Sequence, residues 1–294
     1  MKRKNKIISI AALVSAMALS GWVLPACTTR KDNNVFPDTE ITEGEDNNNG
    51  AGAPDEPSQE VSKPEQQPET KPETPVAPPQ PVAEKAKYVS VKSSGVNLRS
   101  GAGTSYFAMG TAEKNTLYAV YGRQGDWYKT YYKGKPVYIN ANYCTVVQME
   151  KNANDAVEKV IAEGYKYMGV TYVYGATRYH DGTGKKLSGF TTSAFDCSSL
   201  MQYVFKIGAD VNLQLTTRTQ VRQGKTVKKS DLRRGDLMFF TNASRKNNTG
   251  IERIGHVALY LGDNYILHTA SDYAKIEQIS STRWSYYIQS QRMI

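Results

Sequence analysis

Residues able to act as nucleophile or base at neutral pH are scarce here: 294 residues hold three cysteines and three histidines. His256 and His268 fall in "GHVALYLGDNYILHTA", residues 255–270, where two β-type runs flank Gly262. A three-residue turn at Leu261-Gly262-Asp263 would pair 260 with 264 and 256 with 268, setting both imidazoles on one face of a hairpin. One imidazole could then take a proton from a nucleophile while the other fixes its tautomer, as in a triad. The candidate nucleophile is Cys197 in "FDCSSLMQYVF", residues 195–205. Leu200, Met201, Val204 and Phe205 share one helical face, Gly208 marks the end, and Asp196 is a natural N-cap, so Cys197 becomes the first helical residue. Unpaired N–H groups and the positive end of the dipole at that position are expected to lower its pKa. The spacing of Cys197 with Leu200 and Met201 equally fits a buried core position. Zinc held by Cys197, His256 and His268 is the competing chemistry, but no CxxC or HExxH pair accompanies them and no metal is expected.

The elements that must hold these residues are mixed. "DAVEKVIAEGYKYMG", residues 155–169, has apolar positions 157, 160, 161 and 168 near helical spacing. Behind the cysteine helix, "GDLMFF", "HVALYLG" and "NYILHTA" read as strands, so this part is α+β. From Tyr88 to about 148, short β-type runs ("YVSV", "TLYAVY", "WYKTYY", "PVYINANY") alternate with turn signals and imply a small all-β barrel.

The remaining N-terminal residues are not globular in composition. Residues 1–27 give a basic start, an apolar run too short to span a membrane, and small residues before Cys27, which is the pattern of a secretory signal. Residues 28–86 are Pro/Glu-rich and read as a disordered linker. That linker carries five basic against thirteen acidic groups, and residues 1–26 carry four basic and no acidic ones. The folded part is therefore more basic than the chain's net +9 and suits anionic partners, while no Arg/Lys cluster interleaved with aromatics points to nucleic acid.

Four segments in order, "TYVYGA" (171–176), "FDCSSLMQYVF" (195–205), "GKTVKKSDLRRGDLMFF" (224–240) and "GHVALYLGDNYILH" (255–268), resemble the NlpC/P60 cysteine peptidases of bacterial cell walls. "VNLRSGAGTSY" (96–106), Gly125-Asp126-Trp127-Tyr128-Lys129 and Lys133-Gly134-Lys135 resemble a bacterial SH3-like domain, and "LPAC" (24–27) resembles a lipobox. The resemblance implies a papain-like α+β domain at 152–294 behind an SH3-like barrel at 87–148, with Cys27 lipidated and the protein held on an envelope membrane.

Carried over by position, Cys197 matches the nucleophile, His256 the base, His268 the residue orienting that base, and Tyr172 a tyrosine beside the nucleophile. Asp196 and Ser198 match residues that hold a free amine in members cleaving short wall peptides, although Asp196 is equally explained as a cap. The chain departs from the family at Leu215-Thr216-Thr217, where an arginine is missing ahead of Gln220, and in polar inserts at 177–194 and 241–254 that are expected to rim the cleft. His180, in the first insert, is expected to be solvent-exposed. The implied function is a monomeric, cofactor-free endopeptidase acting on peptidoglycan stem peptides at the γ-D-glutamyl–diamino acid bond. A non-catalytic wall-binding lipoprotein, or an amidase or acyltransferase on the same thiol, are the alternatives.

Overall fold

The computed structural model describes residues 84–294; the expected signal, Cys27 and nearly all of the expected linker lie outside them. The first eight strands are β1 (Lys85–Val91), β2 (Val96–Arg99), β3 (Ala108–Ala112), β4 (Leu117–Ala119), β5 (Gly122–Gln124), β6 (Trp127–Tyr132), β7 (Lys135–Asn140) and β8 (Cys144–Glu150). They form two antiparallel sheets, in the orders β4-β1-β8 and β3-β2-β7-β6-β5, which close over Tyr88, Leu98, Val137 and Ile139. The expected Lys133-Gly134 turn closes the β6–β7 hairpin with both residues at positive φ, 51° and 76°.

The second half runs α1 (Asp155–Tyr165), β9 (Thr171–Tyr172), β10 (Ala194–Phe195), α2 (Cys197–Ala209), α3 (Thr217–Gln220), β11 (Lys225–Val227), β12 (Leu237–Phe240), β13 (His256–Gly262), β14 (Tyr265–Ala270), β15 (Tyr273–Gln278), α4 (Ser281–Ser285) and β16 (Tyr287–Arg292). Its sheet has the order β10-β9-β15-β14-β13-β12-β16-β11 and is antiparallel except at β10–β9, giving the expected α+β class. One core joins α1 (Val157, Val160, Ile161) and α2 (Leu200, Met201, Val204, Phe205) to Leu237, Phe239, Val257, Leu259 and Leu267. Burial of each such side chain contributes roughly 1.5–3 kcal/mol. A smaller core, Met238, Phe240, Ala258, Ile266 and Ile279, packs Trp284 and Tyr286 from the α4 region.

Two local expectations are corrected. Gly208 does not end α2, which runs to Ala209 and is capped by Asp210 in the left-handed region at φ 55°. The glycine serves packing instead, since a Cβ there would lie 2.5 Å from the Val160 backbone of α1. The β13–β14 turn is also different. Asp263 and Asn264 form it, at φ 47° and 65°, and the register shifts between Tyr260 and Gly262. Leu259 therefore pairs with Leu267, and the same register sets Ala258, not His256, opposite His268. The histidines remain on one face as diagonal neighbours, within reach of ring side chains.

The barrel packs against the second half. The Tyr88 and Tyr165 hydroxyls bond to each other, and Arg234 binds Tyr165 Oη at 3.0 Å and Glu158 at 2.6 Å while lying over the Tyr88 ring. Lys133 N–H and Gly134 N–H donate to the carbonyls of Met168 and Lys166 at 2.7 and 2.8 Å. Among the described residues, no helix is long and apolar enough to cross a membrane.

Candidate active site

Asp196 leads into α2 in an extended conformation, at φ −97° and ψ 175°. Its carboxylate accepts from Ser199 N–H at 2.8 Å and its carbonyl from Leu200 N–H at 3.0 Å, which leaves the amides of Cys197 and Ser198 outside the cap. The apolar stripe fixes the other end of the segment, with Leu200, Met201 and Val204 fully buried. Cys197 itself is 7% exposed and lines a cavity of about 340 Å³ with Tyr172, Asn242, His256 and Arg283. The thiol thus belongs to the core and also opens onto a cleft.

The thiol's acidity differs from expectation. Burial pushes it up to about 12, with the Asp196 charge acting in the same direction. Val257 N–H, Ser198 N–H and Arg178 oppose that rise and are outweighed. A helix start lowers a thiol's pKa only if the sulfur keeps solvent or a cation, and here the wall of the sheet covers it.

His256 and His268 meet directly, with Nε2 of the first 2.9 Å from Nδ1 of the second. His268 is fully buried, and its Nε2 stands 3.1 Å from Glu277 Oε1, an ion-pair separation without an aligned hydrogen bond. Glu277 also takes Arg283 at 2.8 Å and lies 3.6 Å from Lys275. Burial alone would raise this carboxyl, but His268, Arg283 and Lys275 together bring it down to about 2. Burial lowers His256 well below its ordinary value, helped by His268 and Arg283; burial lowers His268 too, with Glu277 pulling the other way.

An ionised Glu277 can only accept, and this assigns the protons along the row. His268 carries its proton on Nε2 and accepts at Nδ1; His256 donates from Nε2 and keeps a lone pair on Nδ1. A neutral His256 so arranged could accept a proton on its free Nδ1. Sequence reasoning missed Glu277. The available signal was the alternation in "YAKIEQ", residues 273–278, which puts Tyr273, Lys275 and Glu277 on the His268 face of the next strand.

Tyr172 stands at the end of β9 and lines the cleft on both sides of Cys197. Burial, then the neighbouring Cys197 and Asp196, raise its pKa, so its hydroxyl stays a donor. Asp196 and Ser198 line the second cavity, about 470 Å³, with Tyr174, Arg178, Arg218 and Arg245. The second insert rims the cleft through Asn242, Ser244 and Arg245, as expected. The first is anchored more deeply, since Tyr179 and Phe190 pack on Tyr203, with ring centroids 5.2 and 5.1 Å away. His180 is accordingly fully buried rather than exposed, and its Nδ1 accepts from Gly182 N–H at 3.0 Å. Cys144 and Cys197 are both free thiols. Among the described residues no group of three His, Cys, Asp or Glu side chains is placed to hold a metal ion.

Residues 169–293 match the model of the NlpC/P60 family and residues 94–145 that of the bacterial SH3 domain. The chain is 31% identical over 137 residues to the peptidoglycan endopeptidase RipA of Mycolicibacterium smegmatis, covering 46% of this chain and 25% of that one. It is 33% identical over 115 residues to a probable endopeptidase NlpC homolog of Haemophilus influenzae, covering 38% and 57%. With the gamma-D-glutamyl-L-lysine dipeptidyl-peptidase of Bacillus subtilis it shares 30% over 129 residues, covering 44% and 37%. The chain thus spans between 25% and 57% of the length of these relatives.

Proposed function

We propose that this chain, which carries an NlpC/P60 domain behind a bacterial SH3 domain, is a cell-envelope cysteine endopeptidase that hydrolyses peptidoglycan stem peptides at the γ-D-glutamyl–diamino acid bond. The observation that carries this reading is the row Glu277–His268–His256, whose last member lines the same cavity as Cys197. The names of the relatives supply the substrate class, and the B. subtilis relative's name supplies the bond.

His256 removes the Cys197 proton as the sulfur attacks the scissile carbonyl, because the buried thiol rests protonated. The amides of Cys197 and Ser198 and the Tyr172 hydroxyl receive the oxyanion. Protonated His256, held by His268 and Glu277, passes its proton to the leaving amine, and a water activated by the same nitrogen then releases the thioester. No step calls for a cofactor. In this reading the protein acts as a monomer, tethered through residues 28–86 to a lipid on Cys27.

The test is mass analysis of muropeptides from purified peptidoglycan treated with the wild type and with Cys197→Ala. Cleavage between D-glutamate and the diamino acid, lost in the variant, is expected. Cleavage retained by Cys197→Ala, or at another bond, overturns the mechanism or the specificity respectively. Unchanged muropeptides with retained binding to sacculi would instead select the wall-binding reading, which the deep burial and protonation of the thiol favour.

A further inference from the structure

The insert 177–194 contains a small hairpin whose contacts run through one imidazole. Leu187 N–H donates to the Tyr179 carbonyl at 3.0 Å and Asp181 N–H to the Lys185 carbonyl at 3.1 Å, which brings His180 opposite Lys186. Gly182 and Gly184, at φ 92° and 105°, turn the tip. The hairpin lies on α2, because Gln202 Oε1 accepts from Tyr179 N–H at 3.1 Å and from His180 N–H at 3.4 Å. His180 is fully buried there; its Nδ1 takes Gly182 N–H at 3.0 Å, and its Nε2 has no partner among the described residues.

This arrangement admits only the neutral ring. An acceptor at Nδ1 puts the proton on Nε2, and a second proton would set Nδ1–H against another N–H while adding a buried charge. The groups around the ring do not neutralise that charge. Lys206 of α2 repels it, although it is itself paired with Asp210 at 2.5 Å, and Lys186 across the hairpin leans over the Tyr179 ring. Asp181 attracts it, but that carboxylate already takes the N–H and the hydroxyl of Thr183 at 2.9 and 2.7 Å. The phenols of Tyr179 and Tyr203 stand beside it, and Asn212 and Gln214, which do not titrate, bond the tip.

Arg178 sits at the foot of this hairpin. It pairs with Asp196 at 2.9 Å and donates to the Ser198 hydroxyl at 3.2 Å and the Leu215 carbonyl at 2.7 Å, all beside the start of α2. Asp196 caps the helix whose first residue is Cys197. We infer that His180 is a positioning residue: its neutral form holds the hairpin, and with it Arg178, against α2, and its protonation releases both. The step takes one proton from solvent onto Nδ1 and leaves Gly182 N–H to water. The release does not depend on the peptidase reading above; the loss of turnover that follows it does.

The experiment follows amide hydrogen exchange of residues 177–194 in the full chain between pH 7.5 and 5, as protection relative to the intrinsic rate at each pH, for the wild type and His180→Asn. Asparagine keeps an acceptor near Nδ1 and cannot be protonated. Burial and Lys206 depress the folded pKa, so the hold is complete above the ordinary value of about 6.5 and is lost as pH falls below it. Wild-type protection is expected to drop by up to about tenfold per pH unit in that range while the variant's stays level. Protection that does not change in the wild type, or that falls equally in His180→Asn, overturns the inference. If thermal unfolding shows that the variant does not fold, NMR titration of the wild type decides. A His180 resonance that titrates with the exchange supports the inference, and one that stays neutral while the insert opens overturns it. With a stem peptide as substrate, kcat/KM is expected to fall less steeply with acid in His180→Asn than in the wild type, and parallel acid limbs overturn the positioning role. Absence of turnover at every pH removes the peptidase reading and leaves the exchange result to decide the release.

Discussion

Replacing Glu277 by Gln keeps the shape of the side chain and removes its charge, so it isolates what the far end of the row contributes. The carboxyl is held at about 2 against an ordinary 4.5. That difference is worth about 3 kcal/mol for the ionised form, spread over His268, Arg283 and Lys275 and discounted for the 30% of the side chain that solvent reaches. A third of it, about 1 kcal/mol, falls to the imidazole. Loss of charge stabilisation for the imidazolium formed during attack therefore costs somewhat under tenfold.

The amide leaves the tautomers as they are. Arg283 donates to Oε1 at 2.8 Å, the same oxygen that stands 3.1 Å from His268 Nε2, so the amide oxygen keeps that place and the NH2 group takes the position of Oε2 beside Lys275. Groups standing behind a site residue commonly cost 10–100-fold. We expect kcat to fall by about tenfold, KM to change little, and Glu277→Asp to recover part of the loss. The assay is steady-state hydrolysis of a stem peptide across pH, with urea unfolding alongside. Because the folded pKa is depressed, the charge stabilises the fold above pH 4.5 and is lost as pH falls toward 2, so the variant should be less stable at pH 7 and converge with wild type at low pH. Wild-type kcat in Glu277→Gln would refute a catalytic contribution from the Glu277 charge.

Other consequences can be measured separately. With the thiol pushed up to about 12, iodoacetamide should alkylate Cys197 at a rate that climbs through pH 9 without levelling, whereas a plateau below pH 7 would show a preformed thiolate. Since burial depresses His256, kcat/KM should keep its full value down to pH 6.5 and fall only in more acid solution; an acid limb centred above 6.5 would contradict this. Gly208→Ala should cost about 1–3 kcal/mol in urea unfolding by forcing α1 and α2 apart, against a small gain expected of alanine in an open helix. Tyr88→Ala should remove about 3–5 kcal/mol and move the unfolding of both halves together, since its ring supports Tyr165 and Arg234; two transitions with only the first displaced would show that the barrel is an independent module.

What could be read from the sequence followed from local periodicity. The stripe Leu200, Met201, Val204, Phe205 and the cap at Asp196 fixed α2 and put Cys197 at its start, and the alternating runs around Gly262 placed both histidines on one face. Where the outcome depended on what packs over an element, the pattern could not supply it. The thiol pKa moved opposite to the helix-dipole expectation because the sheet buries the sulfur. Gly208 looked like a terminator because its contact, Val160, is 48 residues away in sequence. The hairpin register differed because Asp263 and Asn264 both adopt positive φ, which short polar residues tolerate and a pattern of apolar residues does not report.

The inserts show the same division most clearly. Their polar composition suggested loops at the rim of a cleft, and for Asn242, Ser244 and Arg245 that is where they lie. Residues 177–194 instead bury His180 and carry Arg178 to Asp196. Asp196 therefore has two employments: it caps α2 and it neutralises a guanidinium. A carboxylate so placed still raises the Cys197 thiol, and Arg178 partly offsets that rise. Removing the arginine should therefore make the thiol harder to ionise. Slower alkylation of Cys197 at a given pH is expected in Arg178→Gln, and an unchanged rate would show that the guanidinium does not act on the nucleophile's charge.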